Sequence, residues 1–298
     1  MRRDGVSFSA WSALLAAVAL LAVVLLKPDP LANTFFEGLA GDADRGALVF
    51  AAAGCASCHT APGAEPSETP VLTGGRRFAS PFGTFAAPNI SSGPQGLGNW
   101  SDIDIANAIL LGEGLNRTHL YPALPYSAYS NMTRQDAADL IAYLRTLPPA
   151  NTPNQPHDVG FPFNIRLGIG VWKVFFNRGD WILETVQSPE MERGRYLVEV
   201  LGHCGECHTP RGILGGLDRS RWLAGAPNPA GQGQIPNITP GKLGWSTEEI
   251  VEFLSTGFTP EFDTAGGQMA EVIAGLARLP QSDLEAIAAY LKAVPALD

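Results

Sequence analysis

The sequence predicts an all-α fold, with two tandem helical domains bearing long loops, preceded by one N-terminal transmembrane helix. Three observations lead there. The 298-residue chain carries a long, diverged internal repeat, and each half closes on a strongly amphipathic helix. Strand-like alternation is scarce, while 33 Gly and 24 Pro suit long loops, and an apolar fraction of 45% is too high for widespread disorder. Finally, Val6 to Leu26 is almost uncharged. The length suits two domains of ordinary size, and the net charge of −9 argues against a nucleic-acid partner.

Residues 1–30 are expected to anchor the protein in the inner membrane. The 21 residues Val6 to Leu26, densest from Ala13 onward, are enough for one spanning helix. Arg2 and Arg3 precede them and would stay cytoplasmic, leaving the rest of the chain in the periplasm. A cleaved signal peptide is the alternative, but the run is long for one and Lys27-Pro28-Asp29-Pro30 lacks a small-residue cleavage site.

The first domain is expected over residues 40–150 and the second over 188–298. Each opens on a short helical pattern, Asp44 to Phe50 and Glu192 to Val198. A Cys-x-x-Cys-His run follows, then a long loop ending in Pro88-Asn89-Ile90 or Pro236-Asn237-Ile238. Trp100 and Trp245 each precede a helix entry, Ser101 with Asp104 and the capping box Ser246 with Glu249. Gly112 and Gly257 are the matching stops. The closing helices contain Asp136 to Leu144 and Asp283 to Leu291, with Pro148 and Pro295 just beyond. Between the domains, residues 151–187 are too apolar for a solvated linker. They read as a helix packed across both domains, or as an exposed face that docks a partner subunit or membrane.

The two runs, Cys55-Ala-Ser-Cys58-His59 and Cys204-Gly-Glu-Cys207-His208, use all four cysteines of the chain. This pattern marks c-type haem attachment: two thiols bond the haem edge and the adjacent histidine reaches the iron. Two haem c groups are therefore expected. Disulfides or a four-cysteine zinc site would leave each following histidine unexplained, and a thioredoxin-like motif would want a βαβ context. Helix, haem run, long loop, helix and closing helix is the layout of a small cytochrome c domain.

A methionine usually occupies the far side of the iron in an electron carrier. Met269 lies 24 residues after Trp245, and the position 24 after Trp100 is Leu124. Met269 is thus the expected axial ligand of the second haem. For the first haem three possibilities stand: Met132 as substitute ligand, His119 as ligand, or a five-coordinate iron capped by Leu124. Met132 also matches Leu279 at the entry to the last helix, which argues for core packing. His203 is expected to hydrogen-bond locally, His157 in the linker to hydrogen-bond rather than ligate, and Arg76 and Arg77 to pair with propionates or face solvent.

The chain resembles the cytochrome c subunits of membrane-bound periplasmic dehydrogenases, those of alcohol, gluconate and sorbitol dehydrogenases and of molybdenum hydroxylases. The segments that carry the resemblance are Phe82-Gly83-Thr84-Phe85, Gly98-Asn99-Trp100-Ser101, His119-Leu120-Tyr121-Pro122-Ala123-Leu124-Pro125-Tyr126, Phe161 to Arg166 and Gly267 to Ile273. Two features depart from that family. Many of its members carry three haem runs, and most have methionine where this chain has Leu124. The resemblance implies an electron-transfer subunit that takes electrons from a periplasmic dehydrogenase and delivers them to quinone or a terminal oxidase, with no catalytic residues of its own. The alternatives are a di-haem redox enzyme of the peroxidase or thiosulfate dehydrogenase type, and an anchored cytochrome that donates directly to an oxidase. Leu124 between two prolines supplies no polar acid–base group for a peroxidase.

Overall fold

The computed structural model describes residues 11–13, 26, 28–229, 231 and 233–298. The chain folds as two similar helical halves. In the first, α1 (Ala43–Ala52) starts at Asp42, whose side chain accepts from Arg45 N. It crosses α5 (Arg134–Thr146), which starts at the N-cap Thr133. The crossing is close because Gly46 sits at it: a Cβ there would lie 2.0 Å from the Asp139 carbonyl oxygen. The second half repeats the device. Here α7 (Pro189–Tyr196) crosses α11 (Gln281–Ala293) at Gly194, where a Cβ would lie 1.9 Å from the Ala286 carbonyl. A guanidinium next to each glycine grips the opposite helix, Arg45 to Asp139 at 2.8 Å and Arg193 to Asp283 at 2.7 Å.

The intervening helices match the repeat. The first, α3 (Asp102–Ala106), has the capping box Ser101–Asp104, continues as a π turn over Asn107–Leu111 and stops at left-handed Gly112. Its counterpart α9 (Thr247–Thr256) has the capping box Ser246–Glu249 and stops at left-handed Gly257. Two further helices follow these stops: α4 (Tyr126–Tyr129) in the first half and α10 (Gly267–Leu276) in the second. One hydrophobic cluster runs through both halves and includes Phe50, Leu140, Leu144, Leu197, Leu201 and Tyr290.

Two expectations about fold class are corrected. The protein is mostly helical rather than all-α, because among the described residues three two-stranded antiparallel sheets interrupt the loops. Strand β1 (Arg77–Ser80) pairs with β2 (Gly83–Ala86), β3 (Glu113–Gly114) with β4 (Thr118–His119), and β5 (Ala226–Pro227) with β6 (Gln234–Ile235). None exceeds four residues, too short for alternation to register along the sequence. The expected N-terminal transmembrane helix finds no support: among the described residues no helix is long and apolar enough to cross a membrane. The longest, α5 and α11, have 13 residues each, about 20 Å of helix against a hydrocarbon core of about 30 Å. Apart from residues 11–13 and 26, the run Val6 to Leu26 lies outside the described residues.

The segment between the halves carries a helix. In it, α6 (Leu167–Phe176) packs inward: Lys173 Nζ donates to the Leu111 and Gly112 carbonyls at 2.6 and 2.9 Å, and Trp172 Nε1 donates to Leu214 O at 2.9 Å. Its outer side, with Val174 and Phe175, is exposed. His157 accepts from Ala86 N at 3.1 Å, the hydrogen-bonding role expected of it.

Candidate functional site

Each Cys-x-x-Cys-His run folds as one short helical turn, α2 (Cys55–His59) and α8 (Gly205–His208). Positions i and i+3 share a helix face, so one turn sets the paired thiols side by side with the histidine next to them. Both turns are entered through left-handed backbone, Gly54 at φ 60° and His203 at φ 36°. All four thiols are free. Burial pushes Cys55 and Cys204 up to about 12, the opposite of the depressed value that a nucleophilic thiolate needs. Among the described residues no group of three or more His, Cys, Asp or Glu side chains could hold a metal ion, so the four-cysteine zinc alternative has no cluster to stand on.

The histidines reveal what the triplets are for. Nδ1 of His59 lies 2.8 Å from the Pro88 carbonyl, and Nδ1 of His208 lies 2.8 Å from the Pro236 carbonyl. A carbonyl only accepts, so each Nδ1 carries the proton and each Nε2 keeps its lone pair. Burial holds both imidazoles below the usual histidine pKa and therefore neutral. Neither Nε2 has a hydrogen-bond partner among the described residues. A proton on Nδ1 held by a carbonyl is the arrangement that orients a metal-ligating histidine and raises its basicity.

The rest of each triplet holds that carbonyl in place. Ile90 N donates to Leu72 O and Ile238 N to Leu223 O, both at 3.0 Å. Asn89 is 3% exposed; its Oδ1 accepts from Ser91 N at 2.9 Å, and its Nδ2 donates to Thr152 O at 2.9 Å and Ala150 O at 3.3 Å. Asn237 does the same, accepting from Thr239 N at 2.8 Å and donating to Leu297 O at 2.9 Å. Each asparagine thus ties the histidine's partner to the chain just past the closing helix. Sequence reasoning placed the triplets but not this role; the signal was their near-equal distance from the histidines, 29 and 28 residues.

The predicted far-side residues are spread out. Met269 is half-buried on the first turn of α10, packed against the core. That helix also meets the first half: a Cβ on Gly275 would lie 2.5 Å from Ala51 O, and Arg76 pairs with Glu271 at 2.6 Å. Arg76 thus joins the two halves. Leu124 is half-buried ahead of α4, and Met132 is 6% exposed in the core at the entry to α5. His119 is buried, with Nε2 2.7 Å from the Leu26 carbonyl, so that nitrogen is already engaged. Trp245 meets Phe253 edge-on, with centroids 5.1 Å apart. His203 departs from its expected local role. Its Nε2 lies 3.3 Å from Ala53 O, in the other half, and Tyr129 Oη donates to the same carbonyl at 3.1 Å.

The donor sets therefore fit a covalently held haem at both runs: Cys55 and Cys58 with His59, and Cys204 and Cys207 with His208. A haem so held would supply one-electron iron chemistry.

Comparison with known proteins agrees. Residues 43–148 match the family model described as Cytochrome c. The chain is 51% identical over 299 residues, the whole of both proteins, to a "Diheme cytochrome c-type" protein of Cereibacter sphaeroides. It is 36% identical over 291 residues to the fructose dehydrogenase cytochrome subunit of Gluconobacter japonicus, covering 95% of this chain and 58% of that one. It is 33% identical over 303 residues to the cytochrome c subunit of the quinone alcohol dehydrogenase of Gluconobacter oxydans, covering 95% and 60%. It thus spans about three fifths of the length of those two dehydrogenase subunits. With two equivalent thiol pairs, two histidines poised through Nδ1 and a full-length relative at this identity, the chain belongs to the cytochrome c family.

Proposed function

We propose that this protein is the electron-transfer subunit of a periplasmic dehydrogenase, holding two haem c groups and passing electrons toward quinone or a terminal oxidase. The observation that carries this reading is the duplicated frame: in each half a thiol pair, a histidine with Nε2 unengaged, and a proline carbonyl on Nδ1. Its relatives named as cytochrome c subunits of fructose and alcohol dehydrogenases support the partner class, and the quinone in the second name supports that acceptor. The chain's own part is structural and electrostatic. Cys55, Cys58, Cys204 and Cys207 anchor the groups, His59 and His208 supply one axial ligand each, and Met269 supplies the other at the second site. With Leu124 at the matching position, the first site has either Met132 or no protein ligand there, so the two sites differ in potential. The protein's own part is that of an electron carrier.

Purification of the native protein tests this. Two haems per chain by pyridine haemochrome assay, a co-purifying dehydrogenase and no turnover of organic substrates by the isolated chain are expected. One haem per chain, or substrate oxidation by the chain alone, overturns the reading.

A further inference from the structure

We propose that His203 carries electron transfer between the two haem sites, through its hydrogen bond to the Ala53 carbonyl. This deepens the two-haem reading above and rests on it. The residues concerned are next to the attachment points. His203 directly precedes Cys204, and Ala53 stands two residues before Cys55. Across the boundary between the halves, Nε2 lies 3.3 Å from Ala53 O. Tyr129, 6% exposed, donates to the same oxygen at 3.1 Å and sets its ring edge-on to the imidazole, centroids 5.5 Å apart. From Cys55 the route runs along Gly54 and Ala53, crosses one hydrogen bond, and continues through the imidazole into the backbone of Cys204. Everything else on that route is covalent. Electronic coupling falls more steeply through space than along bonds, so a path with a single hydrogen-bonded gap is a strong connection between the sites.

The backbone supplies a second, independent observation. His203 sits at φ 36°, and the residue in the equivalent place before Cys55 is Gly54 at φ 60°. Glycine adopts this conformation freely, whereas a side-chain-bearing residue does so at a cost. The first half uses the residue the backbone favours. The second keeps a strained histidine whose side chain spans the boundary between the halves, and strain retained at such a point signals a task for the side chain. In the step itself, one electron leaves the ferrous iron of one site and reduces the ferric iron of the other. No bond forms or breaks, and the imidazole proton stays on Nε2, because a carbonyl can only accept.

The test uses the full chain with both haems. Flash photoreduction is followed by the concentration-independent redistribution of electrons, alongside spectroelectrochemical potentials for each haem. His203→Gly removes the imidazole while relieving the backbone, so the relieved strain offsets part of the lost hydrogen bond and the variant is expected to fold. Its intramolecular phase should slow severalfold at unchanged potentials. His203→Gln places an amide N–H at the same reach and should restore most of the rate. An unchanged rate in His203→Gly overturns the proposal. So does equal slowing in both variants together with altered small-angle scattering, which would mark a general packing role. Fewer than two haems per chain would defeat the function proposed above; two haems with a His203-independent rate would defeat only this inference.

Discussion

Replacing Asn89 with alanine should loosen one haem site and leave the other untouched. Asn89 is 3% exposed and makes three hydrogen bonds, to Ser91 N, Thr152 O and Ala150 O. At about 1 kcal/mol net for each, their loss removes about 3 kcal/mol of stability. The functional consequence runs through Pro88, whose carbonyl precedes Asn89 and accepts from His59 Nδ1. Once the loop is freed, that bond weakens and His59 becomes a poorer donor. The ferric state of the first haem then loses stabilisation and its potential rises. Urea denaturation reads the stability term, and spectroelectrochemical titration reads the two potentials separately. The mirror variant Asn237→Ala, which removes the bonds from Thr239 N and to Leu297 O, should move the second haem instead. A stability loss under about 0.5 kcal/mol, the range of ordinary surface changes, would refute the reasoning. Equal movement of both potentials in either variant would refute it too.

Two further outcomes are expected. Met269→Leu should remove the second haem's contribution to the methionine-to-iron charge-transfer band of the ferric protein and lower that haem's potential, since thioether sulfur favours the ferrous state; a full band in the variant sinks the ligand assignment. Lys173 should give a pH signature. Burial lowers its ammonium to about 8 from a usual 10.5. Below that window both folded and unfolded chains hold the proton, and the folded one bears the desolvation cost. Between about 8 and 10.5 the unfolded chain binds the proton that the folded chain has released, so stability rises with pH. Denaturation midpoints across pH 8–10.5 should climb more in the parent than in Lys173→Met; parallel curves would contradict this.

Much of the site was legible because its signals are local. Each Cys-x-x-Cys-His run is contiguous, and one helical turn converts its spacing directly into a thiol pair beside an imidazole. The helix ends were equally readable: Ser101 and Ser246 cap through bonds spanning three residues, and Gly112 and Gly257 stop helices by their own backbone freedom. The short hairpins were not readable, because Arg77–Ser80 and its partner strand are too brief to show a period. The transmembrane expectation rested on hydropathy along Val6 to Leu26, and no described helix has the length or apolar character to carry it.

The sequence by itself determined the two Cys-x-x-Cys-His runs, the helices that frame them and the asymmetry between Met269 and Leu124, because each depends on residues close together or on counting along a repeat. Only the tertiary structure decided what lies opposite those residues. It assigned the Pro88 and Pro236 carbonyls to the histidines across 29 and 28 residues. It packed α1 on α5 and α7 on α11 through Gly46 and Gly194. It also carried His203 across 150 residues to Ala53. Backbone carbonyls look alike in every residue, so no pattern of side chains announces which one a buried nitrogen will meet. That choice is made by how the halves pack.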